Sequence, residues 1–158
     1  MGGRNNFGQV NDVRAPYAFP AGAAIAFKNK GGKFVTIDTN GELTLAVETA
    51  KAIIGWAQVG EFTCAEHDLI TVNTARDAVY EMPIDAAKTE AQLKALLGQA
   101  CDIDVVGGIQ YADLNAATDK TLQIMGYHYF GSALGEQTAL VRINVLTVDT
   151  ALAALTVT

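Results

Sequence analysis

The chain has 158 residues and a formal net charge of −6; half of its residues are hydrophobic and 18% are charged. This balance excludes a disordered chain, and the length suits one compact domain or two small ones. The acidic balance disfavours generic nucleic-acid binding, because neutralising phosphates requires a basic surface. The longest stretch without a formal charge, residues 121–135, is shorter than the roughly 20 apolar residues that a membrane-spanning helix needs.

The N-terminal sequence and the cysteines indicate the compartment. No apolar segment follows Arg4, so a secretory signal is not expected and the chain is predicted to fold in the cytosol. In that compartment Cys64 and Cys101 are expected to be buried free thiols, with a disulfide as the alternative.

Charge is distributed unevenly along the chain. Residues 1–33 carry a net charge of +4, and the remaining residues carry −10. Residues 1–20 are predicted to form an extended arm, because Gly, Asn and Pro recur there without periodicity. A basic arm on an acidic body indicates either docking onto an acidic partner or a solvated terminus.

Residues 21–83 are predicted to form a small β-barrel or sandwich. Apolar residues alternate over residues 23–47 around an Asn40-Gly41 turn, which predicts a three-stranded meander. In the following strand, residues 52–59, Gly55 indicates a bulge or a close approach of two backbones. Two more strands are predicted before Pro83, where the sheet is expected to end, because proline cannot donate a ladder hydrogen bond.

Residues 84–158 are predicted to form a second β-rich subdomain that includes the only convincing helix. Thr89 and Gln92 have capping-box spacing, three leucines follow at helical spacing, and Gly98 is typical of a helix end, which together predict a helix over about 89–97. We expect this helix to plug an open barrel end. The three leucines are Leu93, Leu96 and Leu97.

Strands resume after the helix. Gly107-Gly108 predicts a turn, and residues 122–130 predict a long strand. Residues 139–148 give the clearest strand pattern, with Val141, Ile143 and Val145 facing inward. The apolar tail, residues 151–158, is expected to form an edge strand or a subunit contact. A faint echo, in which Gly41–Ala46 leads to Ile54-Gly55-Trp56 and Gly108–Ala112 leads to Met125-Gly126-Tyr127, is interpreted as a repeated hairpin device.

Few residues suggest chemistry. Cys64 and His67 have a spacing that suits zinc, but no further ligands complete a site, so no metal or cofactor is predicted. Ser132 lacks the surroundings of a nucleophile, and His128 is interpreted as a half-buried strand residue. Asp102 and Asp104 share one strand face, which we expect to be exposed rather than catalytic. Trp56 is interpreted as core rather than as a sugar platform. No catalytic residue is therefore predicted, and the chain is not expected to be an enzyme.

Several Gly-bounded runs resemble the β-barrel of capsid decoration (cement) proteins of tailed bacteriophages. The resemblance covers most of residues 20–148. In the first part it is carried by Ala21-Gly22-Ala23, Val35-Thr36-Ile37, the run Gly41 to Ala46, and Ile54-Gly55-Trp56-Ala57. In the second part it continues through residues 79–85, 97–102 and 112–115.

The resemblance implies a virion protein that sits on the outer capsid surface and ties major capsid subunits together. Such proteins are commonly trimers, so the expected partners are the major capsid protein and further copies of this chain, without nucleic acid or membrane. It implies no catalytic residues and no cofactor. The expected capsid contacts lie in the arm: Arg4, Phe7, Arg14 and Tyr17.

Other functions stay open at this point. A tail or head-closure component would be built from similar β modules. A carbohydrate-binding module would use Trp56 or the tyrosine-rich strand around His128.

Overall fold

A computed structural model describes residues 17–28, 33–50 and 52–147. These residues are mainly β, with twelve strands in three sheets, arranged like a sandwich and without a closed barrel. The predicted fold class, with its short helix and second β-rich part, is confirmed.

The first part of the chain contains seven strands: β1 (Tyr17–Pro20), β2 (Ile25–Phe27), β3 (Phe34–Ile37), β4 (Leu43–Leu45), β5 (Ile53–Ala57), β6 (Phe62–Cys64) and β7 (Leu69–Asn73). The second part contains β8 (Tyr80–Pro83), helix α1 (Glu90–Ala95), β9 (Ala100–Val106), β10 (Ile109–Asp113), β11 (Leu122–Tyr129), a 3-10 helix (Leu134–Glu136) and β12 (Gln137–Ile143). We call the sheet β1-β7-β5-β3-β4 the first unit and the sheet β8-β12-β11-β9-β10 the second unit. The third sheet is the pair β2-β6.

The two units have the same topology. In each unit, the second and third strands in chain order form a hairpin at one edge of the sheet. The fourth, fifth and first strands then follow in that order across the sheet to the opposite edge. In each, the residue after the first strand pairs in parallel with the far strand of the hairpin: Ala21 with Leu43, and Ile84 with Ala112. These bridges bring the two edges of each sheet together at one point.

The strand registers define equivalent residues in the two units. Pro20 corresponds to Pro83, since each ends the first strand of its unit just before the parallel bridge. Trp56 pairs with Phe34 on one side and Asn73 on the other, and Gln123 pairs with Ala100 and Arg142. These partners occupy equivalent places in the two units, so Trp56 corresponds to Gln123. Gly55 therefore corresponds to Leu122. The first part of the echo, at Gly41 and Gly108, falls on the equivalent hairpins β3-β4 and β9-β10. The second part joins Gly55 and Gly126, which are not structurally equivalent.

Strand β12 shows why an alternating apolar pattern predicts which side chains of a strand are buried. Its residues alternate between buried and half-buried along the whole strand, as one-sided packing of a sheet requires. Val141 and Ile143 are buried as expected. The strand ends at Ile143, however, and Val145 is 41% exposed in a helical turn over residues 145–147, so its predicted inward position is wrong.

Helix α1 begins as the sequence predicts. Thr89 accepts from the Gln92 backbone N–H, and the Gln92 side chain accepts from the Thr89 N–H, which completes the capping box. The helix ends at Ala95, and Gly98 follows with a φ of +81°. Leu93 is buried against the second unit, but Leu97 is 43% exposed, so the predicted three-leucine stripe is wrong at its end.

Three expectations about the first part need correction. Residues 17–20 of the predicted arm form β1, which pairs with β7 inside the first unit. The predicted meander over 23–47 is wrong in one pairing, because β2 pairs with β6 and only β3 and β4 form a hairpin. The chain changes sheets between β7 and β8, so Tyr80–Pro83 belongs to the second unit, ahead of the boundary expected after Pro83.

One apolar cluster joins the two units. Phe34, Ala46 and Ile53 of the first part are fully buried in the same cluster as Met82 and Ile103 of the second unit. A second cluster lies within the first part and includes residues of β2 and β6. Burial of shared apolar surface stabilises the two units as one body.

Candidate interaction surface

One of the expected capsid contacts lies at the surface of the described structure. Tyr17 is the first residue of the edge strand β1, pairs with Val72, and is 60% exposed. The other expected capsid contacts, Arg4, Phe7 and Arg14, lie outside the described residues. An edge strand presents unpaired backbone groups beside such a side chain, which is a favourable place for a partner to bind.

The structure does not assemble a metal site at Cys64 and His67. Cys64 is buried, with its Sγ 4.0 Å from the Ala23 carbonyl oxygen. His67 is exposed in a left-handed conformation, and its Nδ1 lies 3.2 Å from Glu42 Oε1. Across the described ranges, no group of three or more His, Cys, Asp or Glu side chains is placed to hold a metal ion.

Both thiols are unpaired and buried, as expected. Burial, together with the nearby carboxylates of Asp102, Asp113 and Asp85, raises the pKa of Cys101 to about 12. Because the thiolate is the reactive form, Cys101 is a packing residue.

His128 belongs to a polar contact on the outer face of the second unit. Its Nδ1 lies 3.0 Å from Glu81 Oε1, and the Thr138 hydroxyl donates to the same oxygen at 2.6 Å. The Thr138 hydrogen bond first, and the His128 contact second, hold the pKa of Glu81 below its usual value. The contacts of Glu81 with Thr138 and His128 tie β11, β12 and β8 together.

Ser132 lies in the exposed loop after β11.

Asp102 has a different role from the one expected. It is buried, and its carboxylate accepts backbone N–H groups of Thr118, Asp119 and Lys120 at 2.6–3.2 Å. The expectation of an exposed face is therefore wrong for Asp102, while its neighbour Asp104 is half-buried. Asp102 orders the loop between β10 and β11.

Trp56 packs at the junction of the two units. Its ring stacks on Tyr80 at 4.4 Å between centroids and meets Phe34 edge-on at 5.0 Å. A cleft of about 310 Å³ opens beside it, lined by residues that include Gln58 and Asn73. Tyr80 covers one ring face, which weakens the interpretation of Trp56 as a sugar-stacking platform.

Gln110, which the sequence analysis did not single out, hydrogen-bonds across the junction. This fully buried side chain accepts from Phe34 N at 2.8 Å and donates to the carbonyl oxygens of Phe34 and Ala46 at 2.9 and 2.7 Å. The side-chain amide thus completes the backbone hydrogen bonding of the first unit from within β10. Its strand position predicts an inward side chain, but a partner 76 residues away leaves no local signal.

A larger groove lies on the second unit, and we call it the seam groove. It lies between β8 and β10, the two edge strands, and the loop before β12 closes one side. Its volume is about 560 Å³. The lining is mostly apolar and includes Pro83, Ile109, Tyr111 and Leu134.

No protein-family model, no curated protein and no solved structure matches this chain. Within the described ranges, no helix is long and apolar enough to span a membrane.

Proposed function

We propose that this protein is a structural virion protein that binds the outer surface of a bacteriophage capsid and stabilises contacts between major capsid subunits. The observation that carries the proposal is the joining of two like β units through one buried core. A clamp across a subunit seam has to present two surfaces at a fixed separation, and such a tandem provides them. Binding only to the assembled shell then stabilises the shell by mass action.

The N-terminal arm supplies the reach of this clamp. Arg4 and Arg14 provide positive charge that steers the arm to an acidic capsid surface, and Phe7 and Tyr17 provide the apolar anchors. The position of Tyr17 at the surface supports this assignment, because its exposed side chain is available to a partner.

A non-catalytic role agrees with the side chains that the described residues bring together. Asp102 is engaged by backbone N–H groups, and the Glu81 carboxylate is engaged by Thr138 and His128. These groups stabilise loops and strand pairs. The proposed partners are the major capsid protein and further copies of this chain.

The proposal is tested by co-sedimentation with empty shells assembled from the proposed partner, a major capsid protein. We expect saturable binding of the full chain, at a fixed ratio to capsid subunits. Deleting residues 1–14 leaves β1 intact and is expected to weaken binding at least tenfold. Equal binding of the deletion would refute the role of the arm, and no binding of the full chain would refute the capsid proposal.

A point substitution tests the contribution of Tyr17 separately from that of the rest of the arm. Tyr17→Ala is expected to weaken shell binding about tenfold, which corresponds to the loss of one exposed aromatic anchor. Val106→Ala is the matched control, because Val106 is 59% exposed on the hairpin of the second unit. Equal loss of binding in the two variants would contradict a specific contact at Tyr17.

A further inference from the structure

The seam groove is a gap in the pairing of the second unit. Its two edge strands come together at the single bridge between Ile84 and Ala112. On the outer face next to this bridge, the side chains of Pro83, Ile109 and Tyr111 line the groove instead of packing on a further strand. Apolar side chains around a gap of this size leave hydrophobic surface available to a partner.

The chemistry of the groove selects an uncharged, apolar occupant. Among the described residues that line the groove, Glu81 alone is charged, and its carboxylate is already engaged by Thr138 and His128. Residues 151–158, Ala-Leu-Ala-Ala-Leu-Thr-Val-Thr, carry no charge and no proline. Extended, eight residues reach about 26 Å, enough to cross the groove.

We infer that the seam groove of one copy binds residues 151–158 of a second copy. The chain leaves β12 at Ile143, and the groove lies at the opposite end of that strand, beside Gln137. The two ends of β12 are about 20 Å apart. The turn at 145–147 directs Val145 and Leu146 outward, at 41% and 81% exposure. To reach the groove of its own copy, the tail would have to run back along the whole of β12, whereas the groove of a neighbour imposes no such reversal.

A tail-to-groove contact is heterologous, so repeated copies close into a ring when the rotation between them allows it. This inference does not depend on the capsid proposal, because the contact forms between purified copies. It names the surface through which the chain associates with itself.

Complementation between two variants tests the contact. Deleting residues 151–158 removes the tail and keeps the groove, whereas Leu134→Glu keeps the tail and places a charge in the groove. By light scattering coupled to size exclusion, we expect the full chain to be oligomeric and each variant alone to be monomeric. An equimolar mixture of the two variants is expected to form a one-to-one complex.

Leu97→Glu is the matched control, because Leu97 is 43% exposed and Leu134 is 44% exposed. It is expected to leave the oligomer unchanged. Should Leu134→Glu fail to fold by circular dichroism, Ile109→Glu at the other side of the groove replaces it. A mixture that stays monomeric would overturn the inference. An oligomer that persists both in the tail deletion and in Leu134→Glu would also overturn it. A monomeric full chain that loses thermal stability on tail deletion would instead show that the tail binds its own groove.

Discussion

Equivalent positions in the two units carry different side chains on the same strand order. Thr36 in β3 corresponds to Asp102 in β9. The Thr36 hydroxyl lies 2.8 Å from that of Thr44 on the neighbouring strand. The Asp102 carboxylate instead turns toward a loop and accepts three of its backbone N–H groups. The same strand order therefore accommodates either a hydroxyl pair that links two strands or a carboxylate that orders a loop.

The joining surfaces differ even more. Trp56 and Phe34 of the first unit pack against the second unit, through Tyr80 and Gln110. The residue equivalent to Trp56 is Gln123, which accepts from the Arg142 guanidinium at 2.7 and 2.9 Å. The second unit therefore presents a polar pair where the first presents an aromatic ring.

The largest effect is expected where the units meet. Gln110→Leu removes the partner of the buried Phe34 N–H and of the Ala46 carbonyl oxygen, while the Phe34 carbonyl oxygen keeps its bond from the Ala46 N–H, so we expect a loss of about 4 kcal/mol in the free energy of unfolding. Urea denaturation followed by Trp56 fluorescence measures it. Gln99→Leu is the control, because Gln99 bonds to one exposed carbonyl and is expected to cost less than about 1 kcal/mol. Similar costs for the two variants would contradict the role of Gln110.

Gly55 distinguishes the units at the level of the backbone. A Cβ at this position would lie 2.2 Å from the Asn73 carbonyl oxygen and 2.7 Å from a Val72 methyl group. Gly55→Ala is therefore expected to lower the free energy of unfolding by about 3 kcal/mol through overpacking. The equivalent residue in the second unit, Leu122, is buried with a full side chain.

Thermal unfolding of Gly55→Ala and of Gly60→Ala checks this expectation. A Cβ at Gly60 would meet nothing within 4 Å, so that variant is expected to be neutral or slightly stabilising. A tolerated Gly55→Ala would show that β5 and β7 can move apart at no cost.

Substitutions at the equivalent residues Thr36 and Asp102 are expected to have intermediate effects on the free energy of unfolding. Asp102→Asn weakens three hydrogen bonds to a charged acceptor and is expected to cost about 2 kcal/mol, whereas Thr36→Val removes one neutral bond and costs about 1 kcal/mol. Hydrogen exchange at Thr118 and Lys120 should rise only in the first variant. Unchanged protection there would contradict an ordering role for Asp102.

The smallest expected effect is the pH dependence contributed by Glu81. Its pKa is held below the ordinary 4.5, first by the Thr138 hydroxyl, so its contribution is present above that pH and is lost as the pH falls through the folded value. Thr138→Val should therefore reduce the loss of stability on acidification, as measured by urea midpoints from pH 6 to pH 3. An unchanged acid profile would show that Glu81 contributes nothing to it.

Much of the fold could be predicted from local patterns in the sequence. The capping box at Thr89, the turn at Asn40-Gly41 and the alternation along β12 each depend on residues a few positions apart, and each is found in the structure. The pairing of β2 with β6 was missed, because a hairpin pattern does not specify a partner some 37 residues away. Gln110 and the buried Asp102 were missed for the same reason, since their partners are set by the junction and by a loop.

The candidate site was less predictable than the fold. The sequence predicts Tyr17 as a contact residue, but its position at the start of an edge strand depends on β7, which lies far along the chain. The seam groove depends on two edge strands that meet only in the folded sheet. No spacing of residues in the sequence encodes either surface.

The most direct test of the central claim is the disassembly temperature of empty capsid shells with and without saturating amounts of this protein. A clamp that binds the assembled shell and not its separated subunits must raise that temperature, in proportion to occupancy. We predict such a rise, together with its loss when residues 1–14 are deleted. Shells that bind the protein and disassemble at an unchanged temperature would contradict the account.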